Sequence, residues 1–152
     1  MNIGLIIVLN YQQEQFPSGR LIDLFRKDHN VQYCLLNRNN EEFILDQLSY
    51  IADSCENVNI VNIRKNQDNN LAVRAGVRFM QSAFNLNFLG YIVDDRDNDF
   101  LSELEAFILH QEEIVSMHLA SLRSKRIKPT FLQKLLSIQA FLKKHQLELF
   151  KP

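Results

Sequence analysis

Short apolar runs that alternate with amphipathic stretches constrain this chain more than any other feature. "IGLIIVL" (3–9), "VQYCLL" (31–36), "VNIVNI" (58–63) and "FLGYIV" (88–93) read as buried strands. Between them a helix is expected around Gly19 to Lys27. A second, "EEFILDQLSYIADS" (41–54), has helical apolar spacing at Phe43, Ile44, Leu48 and Ile51, and a third is "NLAVRAGVRFMQSAF" (70–84). "LSELEAFILHQEE" (101–113) predicts a fourth helix and "IVSMHL" (114–119) a fifth strand. Strands that recur with helices between them predict an α/β fold, a mostly parallel Rossmann-like sheet covered by helices on both faces.

The chain of 152 residues, 46% hydrophobic with four Gly and three Pro, suits one globular domain around a single core. Its charge is divided unevenly. Residues 121–152 carry eight Lys/Arg and one Glu, whereas residues 1–120 carry nine Lys/Arg and seventeen Asp/Glu. The sequence therefore divides into a body, 1–120, and a basic extension, 121–152, whose charge points to a partner. In the extension "PTFLQKLLSIQAFLKKHQLELF" (129–150) opens on Pro129 and Thr130, suited to starting a helix. Phe131, Leu135, Ile138 and Leu142 then fall on one stripe, with Lys134, Lys143 and Lys144 around it. Such a basic amphipathic helix packs on its own domain, docks on a partner subunit, or lies on an anionic membrane surface; packing is the more frequent outcome. Nucleic acid is not expected as a partner.

Cys34 and Cys55 have no metal-type spacing, which suits a reducing cytoplasmic compartment and argues against a disulfide framework. The opening apolar run has no basic flank before it and no small-residue cleavage site after it, so it reads as a strand and not as a signal peptide. No stretch approaches the roughly 20 apolar residues of a membrane span.

The fourth strand runs directly into "DDRDND", with aspartates at 94, 95, 97 and 99. In parallel α/β sheets, ligands bind beyond the carboxyl ends of the strands. In extended backbone, positions two apart project to one side, which pairs Asp95 with Asp97 and Asp97 with Asp99. Carboxylates so close repel, and one takes a proton unless a cation lies between them. Mg²⁺ or Mn²⁺, held by carboxylates and substrate phosphates, fits that chemistry. The plainer alternative is an acidic turn in which Asp99 caps the helix starting at Phe100. A second feature is Gly76, which costs a helix about 1 kcal/mol relative to Ala. It is tolerated where the helix comes very close to a sheet or a ligand.

Taken together these pieces resemble the nucleotide-sugar half of a family 2, GT-A-type glycosyltransferase. In "NQDNNLAVRAG" (66–76), Asn66, Ala72, Arg74 and Gly76 match the family's N-x-G-x-x-x-A-x-N/R-x-G pattern. "GYIVDDRD" resembles the apolar strand that runs into the D-x-D motif, with Asp95 and Asp97 in its places and Asp94–Asp95 or Asp97–Asp99 as other registers. "IIVLNYQQE" is similar to the family's first strand and T-Y-N-x-x-E turn: Tyr11 and Glu14 match, and Asn10 and Gln12 are substitutions. The likeness covers residues 3–119. Departures accompany it: Asn37 stands where the family has a base-binding Asp, and Asp68 where it has Gly. The family's acceptor-binding half has almost no counterpart here, and no residue carries over onto its general base.

The resemblance implies a nucleoside diphosphate sugar as donor, bound by Asn10, Tyr11, Glu14, Asn37, Asn66, Arg74, Asp94 and Asp95, with Mn²⁺ or Mg²⁺ at Asp95 and Asp97. It implies transfer with inversion to a glycan, lipid or protein acceptor, in the cytoplasm or at the inner face of the membrane. A non-catalytic glycosyltransferase-like binding or assembly subunit is the other expectation. A phospho-receiver domain fits less well, because its acidic pair should follow the first strand, where Asn10 and Tyr11 stand.

Overall fold

The computed structural model describes residues 2–10, 16–65, 67–94, 99–124 and 134–145. Its centre is a five-stranded sheet in the order β3-β2-β1-β4-β5, with every pairing parallel. The strands are β1 (Ile3–Val8), β2 (Val31–Asn37), β3 (Val58–Asn62), β4 (Phe88–Val93) and the two-residue β5 (Leu136–Ser137). The helices are α1 (Ser18–Arg26), α2 (Glu42–Ser54), α3 (Asn69–Ala83), α4 (Phe100–Leu109), α5 (Gln111–Arg123) and α6 (Ile138–Lys144). The expected Rossmann-like architecture is thus present, and its sheet is wholly parallel.

Strand order and crossover handedness together decide which face α1, α2 and α3 cover. The chain steps outward from β1 to β2 to β3, which puts α1 and α2 on one face. It then returns past β1 to form β4, so a crossover of the same hand must carry α3 over the opposite face. Side chains along β1 divide accordingly: Leu5 and Ile7 join α1, α2 and α4, while Ile6 and Val8 meet α3. All six β1 residues are buried, the pattern of a central parallel strand.

Gly76 explains how α3 lies so close to the sheet. A Cβ at this position would stand 2.9 Å from both Ile6 Cγ2 and Leu36 Cδ2. Close helix–sheet approach is therefore its role. The two cysteines are buried and unpaired; burial pushes the Cys34 thiol up to about 12.

Two expectations are corrected. Residues 114–119 are not a strand but the middle of α5, where Ile114 and Val115 are buried in the core and Met117 and Leu119 pack at its margin; the helix expected over 101–113 accordingly ends at Leu109, with His110 between the two helices and Gln111–Glu113 opening α5. No turn residue separates "EEIVSMHL" into two elements, and a short apolar run satisfies helix and strand equally until packing selects one. The place beside β4 belongs instead to Leu136 and Ser137, paired with Gly90 and Tyr91.

The second correction concerns the continuous helix expected over 129–150. Leu136–Ser137 interrupt its described part, and α6 then begins with the Ser137 hydroxyl accepting from the Ala140 N–H at 3.3 Å. Because the chain passes the sheet there, the expected stripe is split: Leu135 packs on the α3 side, and Ile138 and Leu142 join the opposite core. Residues 129–133, with Phe131, and 146–150 lie outside the described residues. No described helix is long and apolar enough to cross a membrane.

Candidate functional site

The parallel register brings three strand ends to one edge. Val8 pairs with Leu36 on one side and with Val93 on the other, so Asn10, Asn37 and Asp94 all emerge at the carboxyl edge. The strand order reverses between β1 and β4, and there the two are tied together. The Asp94 N–H donates to the Val8 carbonyl at 2.8 Å, and the Asn10 N–H donates to Asp94 Oδ2 at 3.3 Å. Asp94 is half-buried and Asn10 exposed.

Beside this point, over the ends of β1 and β2, lies a cleft of about 680 Å³. Asn10, Asn37 and Asn39 line it with amides, and Phe16 and Ile44 with apolar surface. Arg38 and Lys65 add cations, Glu41 and Asp68 carboxylates. Most of these groups come from the segments that join the end of a strand to the start of the next helix.

Local hydrogen bonds determine what each group has left to offer. Asn37 is buried, and its Nδ2 donates to the Asn39 carbonyl at 2.8 Å and to Asn62 Oδ1 at 2.9 Å. Its Oδ1 accepts from the Asn39 N–H at 3.0 Å. Both donors are thus engaged by protein, and the residue braces the β2–α2 turn. Asp68 caps α3, accepting the Leu71 N–H at 2.8 Å. Its charge is directed at the helix terminus, where the helix dipole favours it. Arg38 Nη1 donates to the Gln67 carbonyl at 2.9 Å, which links the β2 turn to the approach to α3. Lys65 is exposed, and no ion pair involves it among the described residues.

Of the residues singled out from the sequence, the edge brings together Asn10, Asn37 and Asp94. Arg74 is not with them: it lies on the exposed side of α3 and does not line the cleft. Tyr11, Glu14, Asn66, Asp95 and Asp97 are outside the described residues. Asp99 acts as a cap, with Oδ1 accepting from the Ser102 N–H at 3.2 Å and Oδ2 from the Ser102 hydroxyl at 2.7 Å. Those two bonds hold its carboxyl below the usual carboxylate range. Among the described residues no group of three His, Cys, Asp or Glu side chains is close enough to hold a metal ion.

Sequence reasoning missed Phe16, Arg38, Asn39 and Lys65. For the two cations a signal existed, since each follows an apolar run by a residue or two, where a parallel sheet presents its ligand edge. Phe16 and Asn39 carried none, because only the tertiary fold places them on the cleft.

Comparison with protein families, curated proteins and solved structures found no match to this chain.

Proposed function

We propose that the cleft over β1 and β2 receives a nucleoside diphosphate sugar, and that the chain is a GT-A-type, glycosyltransferase-like protein. The observation that carries this reading is the cleft itself. It lies at the ligand edge of a parallel sheet, beside the switch point, and combines amides, an aromatic ring and two cations. Amides and the ring suit a nucleobase and ribose; Arg38 and Lys65 suit a diphosphate. The acidic stretch starts at Asp94, across the β1–β4 junction, and in this reading Asp95 and Asp97 bind Mn²⁺ or Mg²⁺. Transfer proceeds with inversion to a glycan, lipid or protein acceptor.

Asn37 favours a second reading, a donor-binding subunit without turnover. The family's base-binding carboxylate is replaced there by an amide whose two donors are already engaged.

A thermal-shift screen of nucleoside diphosphate sugars with and without Mn²⁺ tests the site. A ligand present at about 100 times its Kd should stabilise the fold by about 2.7 kcal/mol. If no sugar nucleotide raises the melting temperature, the donor site does not exist. If one does, release of labelled sugar from it separates transfer from binding alone.

A further inference from the structure

We infer that a second cavity, between the end of β3 and α3, binds a small phosphate monoester. The cavity has a volume of about 420 Å³, within the range of small-molecule sites. Asn62 and Arg64 line it from the end of β3, Gln67 from the segment that follows, and Leu71, Ala75 and Arg78 from α3. It shares no lining residue with the cleft over β1 and β2, and it stands whether or not that cleft takes a sugar nucleotide.

Its cations have no part in holding the fold. Arg64 and Arg78 are exposed, and neither guanidinium has an ion pair or a hydrogen bond among the described residues. Arg78 stands one helical turn from Arg74 in α3, which contains no acidic residue, so like charges there repel. Residues 1–120 hold seventeen Asp/Glu and nine Lys/Arg, yet no carboxylate lines this cavity. Two guanidinium groups without a counter-charge therefore line one opening, where a dianion satisfies both.

The other lining groups define the rest of the ligand. The Asn62 side-chain oxygen accepts from Asn37 Nδ2 at 2.9 Å, which leaves the Asn62 amide nitrogen as a donor. Donors thus outnumber acceptors around the opening, as phosphate oxygens require, and guanidinium groups hold phosphate through paired N–H bonds. Leu71, Ala75 and Arg78 follow one another at helical spacings of four and three, so apolar surface continues along α3 from the arginine. Ala75 packs against the core, while Leu71 remains 44% exposed. Phosphate alone would leave that surface in water, and a ligand with a short apolar or aromatic group covers it.

Phenyl phosphate is the probe, with binding read by isothermal titration calorimetry and by the amide chemical shifts of Ile63, Gln67 and Ala75. Saturable binding is expected, tighter than that of inorganic phosphate, which lacks the ring, and of benzoate, which lacks the second charge. Arg64→Gln and Arg78→Gln should each weaken it by about tenfold or more, because hydrogen bonds between charged groups are lost. Both variants should keep the wild-type melting temperature, since the side chains are exposed. Arg74→Gln removes a charge outside the cavity and Lys65→Ala one in the cleft. Each should leave the affinity within about twofold of wild type, because exposed charges at a distance are screened. No saturation, undiminished binding in Arg64→Gln and Arg78→Gln, or an equal loss in Arg74→Gln would each overturn the inference. Benzoate binding more tightly than phenyl phosphate would overturn the choice of phosphate.

Discussion

The side-chain amide of Gln139 engages both backbone polar groups of Val93. Its Oε1 accepts the Val93 N–H at 3.2 Å, and its Nε2 donates to the Val93 carbonyl at 2.8 Å. Since β5 has only two residues, the amide stands in for the next peptide of the ladder and secures the end of β4, directly before Asp94. Gln139→Leu removes both partners from a partly buried peptide, at an expected cost of about 1–3 kcal/mol. Urea denaturation should show a lower midpoint at unchanged slope. An unchanged midpoint would mean that water substitutes fully for the amide.

Gly76→Ala sets helix propensity against packing. The substitution should gain about 1 kcal/mol from propensity, but the new methyl meets Ile6 and Leu36 at 2.9 Å. Overpacking costs about 1–3 kcal/mol, so packing should dominate and the melting temperature fall. A rise would show that α3 can lift off the sheet freely.

Glu103 and its neighbours predict a pH dependence of stability. Burial raises the Glu103 carboxyl above the usual range, and nearby Asp99 adds to the effect; a hydrogen bond from Gln139 and the charge of Lys143 oppose it. The folded state therefore holds this proton more tightly than the unfolded chain. The group's stabilising contribution is complete below its unfolded pKa and is lost as pH rises through its folded one. Glu103→Gln should be more stable than wild type at neutral pH, with an advantage that shrinks as the solution is acidified. Equal stability across the range would contradict the assignment.

Tyr33 is fully buried beside Phe25, with ring centroids 4.5 Å apart, yet its hydroxyl has no hydrogen-bond partner among the described residues. Removing an unsatisfied buried hydroxyl takes away a desolvation cost of about 1–3 kcal/mol. Tyr33→Phe should leave stability unchanged or increase it, as read by thermal unfolding. A clear loss would reveal a partner for the hydroxyl.

For the proposed donor site, calorimetry with and without EDTA separates two sources of charge. Crowded carboxylates cannot receive a diphosphate unless a cation intervenes, so nucleotide affinity should fall when the metal is removed. Lys65→Ala should weaken binding further while leaving the melting temperature of the free protein nearly unchanged, because the side chain is exposed. Equal affinity in EDTA would remove the metal from the proposal.

The sequence by itself determined the first four strands, the helices α1 to α3 between them, and the stretch of chain that α4 would occupy. Each has an apolar period set by its own backbone geometry, and that information is local. It also located the close approach at Gly76 and the cap at Asp99, since both depend on residues within or next to one helix. Only the tertiary structure decided that residues 114–119 are helical and that Leu136 and Ser137 fill the fifth place in the sheet. A short apolar run can be buried in either conformation, and the choice depends on which surface is left uncovered. The same holds for the cleft. Asn37 ends β2 and Arg38 follows it, Lys65 follows β3, and Asn10 follows β1, so their meeting is a property of strand order and parallel register. Arg74 shows the converse: its position in a motif was legible, but the turn of α3 that faces it away from the cleft was fixed by how Ala72, Gly76 and Met80 pack on the sheet.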